Sequence, residues 1–273
     1  MAIERSLLFV PGQRAALFDK ALATKADRVI IDLEDAVPPA LKGAARDGLA
    51  NWLGSAASRP VCVRINAADT PWYDDDLRAL AGLANVAAVM LPKADGLDGV
   101  RATRAAMAIP DIALIALVES AAGVLRLSEL AGSGAVTRLA FGTVDFGLDT
   151  GIDGQGAVLD PIRLHFTLAS RAANLPPPID GVTVALQDDA LIRDDIARAK
   201  SLGFGGKLCI HPAQVDPINA GFLPDPLQIA WAQRVLDAWA TATGVVAVDG
   251  KLVDRPIVLQ AERILASAGR AAK

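Results

Sequence analysis

The sequence predicts an α/β fold: a TIM (β/α)8 barrel with a C-terminal helix-hairpin-helix extension. Three observations carry that expectation. Eight short apolar runs recur between Leu7 and Ile210, with helix-like stretches between them. Most of the runs are continuous rather than alternating, as expected of strands buried on both faces of a parallel sheet. The chain has 273 residues, enough for one barrel of about 250 residues. A doubly wound open sheet is the competing architecture, favoured if about six or fewer of the runs are strands.

The expected strands are residues 7–10, 29–33, 61–65, 86–91, 112–118, 138–141, 182–186 and 207–210. The expected helices are 15–25, 42–53, 76–83, 99–108, 121–131, 159–173 and 190–202, each with apolar residues three and four apart. A stiff loop at Pro176, Pro177 and Pro178 precedes the seventh strand. Beyond the eighth strand the pattern changes. Trp231, Val235 and Trp239 recur at four-residue spacing in a helix over 227–239. A hairpin follows, with strands at 245–248 and 252–253 around Asp249-Gly250, the dipeptide most typical of a tight β-turn. Pro256 opens a last helix at 257–268. The chain therefore divides into a catalytic barrel over 1–222 and an extension over 223–273, which serves as a lid, as an arm to a neighbouring subunit, or as a cover for the barrel end.

Composition excludes several function classes. Hydrophobic residues make up 52% of the chain and charged residues 21%, which excludes a disordered chain. With aromatics at only 4%, the core must be built from Ala, Val, Leu and Ile. The balance of 27 basic against 31 acidic residues gives no basic excess for nucleic acid. Cys62 and Cys209 lie inside apolar runs and read as buried strand thiols. The first residues lack a signal peptide's length and cleavage pattern, and no run reaches the roughly 18 apolar residues of a membrane span. The expected location is the cytoplasm. Gly203, Gly205 and Gly206 precede a strand instead of following one, so they form no dinucleotide fingerprint.

In a TIM barrel the active site is built where the strands end. The second strand runs into Asp32, Glu34 and Asp35, the third into Arg64 and Asn66, and the fourth into Lys93. The fifth ends in Glu119, the sixth is followed by Asp145, and the eighth ends in His211. These charges converge on one mouth. Glu119 and Asp145 suit one Mg²⁺, which takes one or two protein carboxylates and leaves room for substrate oxygens. Arg64 offers the planar fork that suits a carboxylate or an enolate oxygen. His211 alone makes no three-ligand zinc set.

Each residue also has a structural reading. Glu119 precedes Ser120 and a helix, and suits a helix N-terminus. Asp145, with Asp149 and Asp153 near it in sequence, suits a solvated turn. Arg64 and Asp35 suit an ion pair across neighbouring strands, Lys93 a rim salt bridge, and Asp254 a helix N-cap.

Seven motifs in order span nearly the whole chain: SLLFVPG at 6–12, IDLEDAV at 31–37, VRINAADT at 63–70, MLPKAD at 90–95, LVESAAGV at 117–124, AFGTVDFGLDTG at 140–151 and GFGGKLCIHPAQV at 203–215. They resemble the citrate lyase beta subunit-like branch of the HpcH/HpaI aldolase superfamily, which includes malyl-CoA and citramalyl-CoA lyases. The resemblance implies a Mg²⁺-dependent carbon–carbon lyase. It implies that Glu119 and Asp145 are the metal ligands and that Arg64 binds substrate. Gly142 and Thr143 open the loop, ending at Asp145, that would hold a 2-oxo acid carboxylate, with Asp35 also on the substrate side. Arg14 and Lys20 correspond to residues that contact coenzyme A, and Asp254 to an acid/base that acts in an adjacent subunit of a homotrimer or dimer of trimers. The implied substrate is an acyl-CoA or other acyl thioester such as malyl-CoA, citramalyl-CoA or a citryl thioester. A malyl-CoA thioesterase, a coenzyme A-independent aldolase and a non-catalytic subunit are the alternatives.

Overall fold

Continuous apolar runs become parallel strands when helices cover their outer face and neighbouring strands fill the inner one. The computed structural model describes residues 4–55, 59–107, 112–152, 156–186, 188–241 and 246–271. The chain forms two compact units, Ile3–Asn219 and a second built on Ala220–Lys273. In the first, eight strands close a parallel barrel in sequence order: β1 (Ser6–Pro11), β2 (Arg28–Asp32), β3 (Val61–Arg64), β4 (Val86–Leu91), β5 (Ala113–Val118), β6 (Arg138–Phe141), β7 (Ile179–Asp180) and β8 (Gly206–Cys209). Closure through β1 and β8 excludes the open-sheet alternative. Between and after the strands run α1 (Phe18–Leu22), α2 (Lys42–Leu53), α3 (Tyr73–Leu80), α4 (Leu97–Ala106), α5 (Ala121–Leu125), α6 (Leu127–Gly132), α7 (Thr143–Thr150), α8 (Asp160–Ala172), α9 (Asp189–Ser201) and α10 (Val215–Gly221).

The barrel interior is filled by Leu7, Ile30, Cys62, Met90, Ile115, Leu117, Ala140, Ile179 and Leu208. Cys62 and Cys209 are free and buried, and burial pushes both thiols up, Cys209 to about 12. A buried charged cluster lies in the same unit. Asp180 on β7 accepts from Arg163 of α8 at 2.9 Å and from Lys207 of β8 at 3.2 Å. All three are buried. Burial opposes the Asp180 charge, but Lys207 and Arg163 outweigh it and hold the carboxyl below its ordinary range.

The seventh strand is not where the sequence pattern puts it. Residues 182–186 form a short apolar run like the other strands, yet the ladder runs through Ile179 and Asp180, directly after Pro178. The carbonyls of Thr183 and Ala185 accept from the Gln214 side chain instead of a neighbouring strand, and Val184 and Leu186 are exposed. The expected helix at 121–131 is two pieces, α5 and α6, and the expected first helix begins as a 3-10 turn at Ala15–Leu17. The sequence pattern gave no sign of α7. Ala108, Asp153 and Val245 lie outside the described residues.

The second unit contains α11 (Pro226–Ala240), β9 (Val246–Val248), β10 (Lys251–Val253) and α12 (Arg255–Ala271). Asp225 and Gln228 form a reciprocal capping box on α11. The hairpin turns at Asp249 (φ 50°) and Gly250 (φ 75°), the left-handed pair a tight turn requires. Ala232, Val235, Val253, Val258 and Ala261 form its core.

One residue tests the helix layer. Gly48 lies inside α2, and a Cβ there meets nothing within 4 Å. Gly48→Ala is expected to raise stability by about 0.5–1 kcal/mol, read as an upward shift in the urea midpoint.

Candidate active site

Side chains alternate along a strand with a period of two. The inward-facing core residues therefore mark, two positions further on, the residues that reach the mouth. Ile30 gives Asp32, Cys62 gives Arg64, Leu117 gives Glu119, Ala140 gives Gly142 and Leu208 gives Ile210. All of these line one cavity of about 440 Å³, with Asp35, Thr143 and Asp145 also in its wall. Asp145 enters from the first turn of α7. The structure thus brings Arg64, Glu119, Asp145, Asp35, Gly142 and Thr143 together.

Arg64 is clamped on one edge. Its Nε and Nη2 both donate to Asp32 at 2.7 Å, a bidentate pair. Nη1 faces Glu34 at 3.1 Å and Asp35 at 3.8 Å, and the Phe9 ring lies 4.8 Å from Cζ. The expected Arg64–Asp35 pair is therefore the weakest of three. Counting by two from Ile30 would have selected Asp32 as the clamp. Burial opposes the Arg64 charge, but Asp32, with Glu34 and Asp35 behind it, outweighs burial and keeps the guanidinium ionised.

Glu119 is buried, and its Oε1 accepts the Lys93 main-chain N–H at 2.9 Å. It does not cap α5; Ser120 does, accepting from Gly123, while Asp149 accepts the Ala121 N–H. Burial pushes the Glu119 carboxyl up to about 8, and the Glu34 charge adds to the rise against the Lys93 hydrogen bond. Burial likewise pushes Glu34 up to about 7 against Arg64. Asp145 is raised by burial and then by Asp35, against Arg64 and Lys93. Carboxylates thus outnumber cations around the cavity.

That imbalance is what a divalent cation would relieve. Among the described residues no group of three or more His, Cys, Asp or Glu forms a metal-holding set. The pair Glu119 and Asp145 fits a hard ion that completes its shell with water and substrate. Among the described residues no side chain caps α7, so its first-turn N–H groups can receive an anion.

Arg14 and Lys20 are exposed in the segment after β1. His211 Nδ1 accepts the Ala213 N–H at 3.2 Å. Asp254 belongs to the second unit, where its Oδ1 accepts the Ile257 N–H at 3.2 Å as the cap of α12. Lys93, weighed as a rim residue, pairs with Glu34 at 3.5 Å.

Residues 5–212 match the family described as HpcH/HpaI aldolase/citrate lyase. The (3S)-malyl-CoA thioesterase of Cereibacter sphaeroides is 35% identical over 277 residues, covering 97% of this chain and 94% of that protein. The citrate lyase subunit beta-like protein of Deinococcus radiodurans is 33% identical, covering 97% of each. Among solved structures, protein CitE from Mycobacterium tuberculosis in complex with magnesium, acetoacetate and coenzyme A superposes with a TM-score of 0.85. It is 34% identical, over 98% of this chain and 99% of that one.

Proposed function

This chain belongs to the HpcH/HpaI aldolase/citrate lyase family, and on that footing we propose that it is a Mg²⁺-dependent carbon–carbon lyase. Its substrate class is a 3-hydroxy-3-carboxyl acyl thioester such as malyl-CoA, citramalyl-CoA or a citryl thioester. The products are a 2-oxo acid and an acyl thioester. The observation that carries this reading is the convergence of Arg64, Glu119 and Asp145 on one cavity. The complex of CitE with magnesium, acetoacetate and coenzyme A supports it.

Glu119 and Asp145 would hold Mg²⁺, which when bound supplies Lewis-acid polarisation of the substrate's hydroxyl and carboxylate oxygens. The first-turn N–H groups of α7, beside Gly142 and Thr143, receive the substrate carboxylate. Arg64, held in plane by Asp32, stabilises negative charge as it develops on oxygen. A base takes the hydroxyl proton, and the bond between the carbinol carbon and the thioester α-carbon breaks. Its electron pair stays with the α-carbon as an enolate, while the carbinol carbon becomes the carbonyl of the 2-oxo acid. Asp254, supplied by a neighbouring subunit of a homotrimer, protonates the enolate, or removes that proton in the condensation direction. Arg14 and Lys20 contact the coenzyme A moiety, and the protein works in the cytoplasm. Among the described residues no helix is long and apolar enough to cross a membrane.

A second reading is favoured by the Cereibacter relative: hydrolysis of the thioester, in which water adds to the carbonyl and the thiol leaves. Product analysis of malyl-CoA turnover with and without Mg²⁺ decides between them. Glyoxylate and acetyl-CoA are expected only with the metal. Free malate with coenzyme A would establish the thioesterase, and no turnover of any acyl thioester would overturn both readings.

A further inference from the structure

Glu34 has no part in that reaction, yet the main chain is fixed on both sides of it. Its N–H donates to Asp32 Oδ1 at 2.9 Å, and the Ala36 N–H donates to Asp32 Oδ2 at 3.1 Å. The buried Lys42 ammonium donates to the carbonyls of Leu33 and Glu34 at 2.8 and 2.7 Å, and lies 5.2 Å from the centroid of the Trp72 ring. Glu34 so placed is only 5% exposed. Neither oxygen receives a hydrogen bond among the described residues. What faces them is charge: Arg64 Nη1 lies 3.1 Å from Oε2, and Lys93 Nζ lies 3.5 Å from Oε1.

Those two cations also act electrostatically on other carboxylates of the site. Both act on Asp145, and Lys93 feels Glu119 as well. The Lys93 N–H is committed to Glu119 and the Ala94 N–H to the Leu117 carbonyl, and between them Lys93 sits at φ 48°, an unusual conformation for a side-chain-bearing residue. Its ammonium rides on a flexible four-carbon stem. Released from Glu34, it would pair with Asp145 or Glu119 and compete with a divalent cation for them.

Resting on the metal reading of Glu119 and Asp145, we propose that Glu34 is a positioning residue. It tethers Lys93 and the free edge of Arg64, keeping both cations off the metal carboxylates.

The test is a double-mutant cycle on the full chain, read as Mn²⁺ affinity by calorimetry at pH 8.5, where Glu34 is ionised. Glu34→Gln is expected to weaken Mn²⁺ binding about tenfold, the scale of a lost supporting contact around a metal ligand. Lys93→Gln alone is expected to change it by less than about threefold. Combining the two is expected to restore affinity to within about threefold of wild type, a non-additivity that a purely structural role lacks. Glu34→Asp separates position from charge: it keeps the carboxylate but draws it back by one methylene, and it should also weaken Mn²⁺ binding, rescued again by Lys93→Gln. If Glu34→Gln fails to fold, this second cycle decides alone. Additive effects, or wild-type affinity in Glu34→Gln or Glu34→Asp, overturn the tether. Glu119→Gln is the control. If wild type binds no Mn²⁺, or Glu119→Gln binds it equally well, the metal reading falls and the tether with it. If binding depends on Glu119 but the cycle is additive, only the tether falls.

Discussion

Glu119→Gln is expected to abolish metal-dependent turnover while making the metal-free protein more stable above neutral pH. The first effect follows from losing a ligand: Lewis-acid stabilisation is worth several kcal/mol, about three decades in rate. The second follows from burial. Glu119 stands at about 8 and Glu34 at about 7, both from an ordinary 4.5. An acid whose value is higher folded than unfolded carries more protons in the folded state between the two values. Stability of the metal-free chain therefore falls as pH rises from about 4.5 to about 8. Glutamine keeps the shape and removes the Glu119 share of that slope. Mg²⁺ does the same for the wild-type chain by replacing the proton, so its stabilising effect should grow with pH across this window. Urea melts at pH 6 and pH 8.5, with and without Mg²⁺, check the second effect, and steady-state assays check the first. Mg²⁺-dependent turnover within tenfold of wild type would remove Glu119 from the metal site.

The barrel and most of this site were legible in the chain because both follow from a period of two. Where strands are continuous and apolar, counting from Cys62 to Arg64 or from Leu117 to Glu119 reaches the mouth without coordinates. The same count from Ile30 yields Asp32 as the partner of Arg64, where the expected ion pair was with Asp35. Glu34 was harder to see. It lies two residues past the end of β2, and its place is set by Lys42, eight residues on, reaching back to its carbonyl. The seventh strand was misread for a related reason. Residues 182–186 form an apolar run, but the Gln214 amide, distant in sequence, takes the carbonyls that a ladder would use. The acid–base role of Asp254 came from motif resemblance alone; within its own unit that carboxylate caps a helix.

Gly142→Ala is expected to remove most of the metal affinity without replacing either ligand residue. Gly142 follows β6 and supplies the N-terminal boundary of α7, the helix that carries Asp145. A Cβ built there would lie 2.5 Å from both Cβ and Oε2 of Glu119. A flexible chain end could swing away, but Glu119 Cβ is anchored to the main chain just past β5, so relief requires β5 and β6 to part or Glu119 to change rotamer. Spreading the strands strains a ladder that pairs Val118 with Phe141. Rotating Glu119 gives up the Lys93 N–H on Oε1. Either route misdirects the ligand. Loss of ligand orientation costs about 10–100-fold in metal affinity, and overpacking about 1–3 kcal/mol in stability. Mn²⁺ titration and urea melts measure the two together. Gly48→Ala, a glycine-to-alanine change in open space, should move stability the other way. Wild-type Mn²⁺ affinity in Gly142→Ala would mean that the Glu119 carboxylate seen against this glycine is not the one that meets the metal.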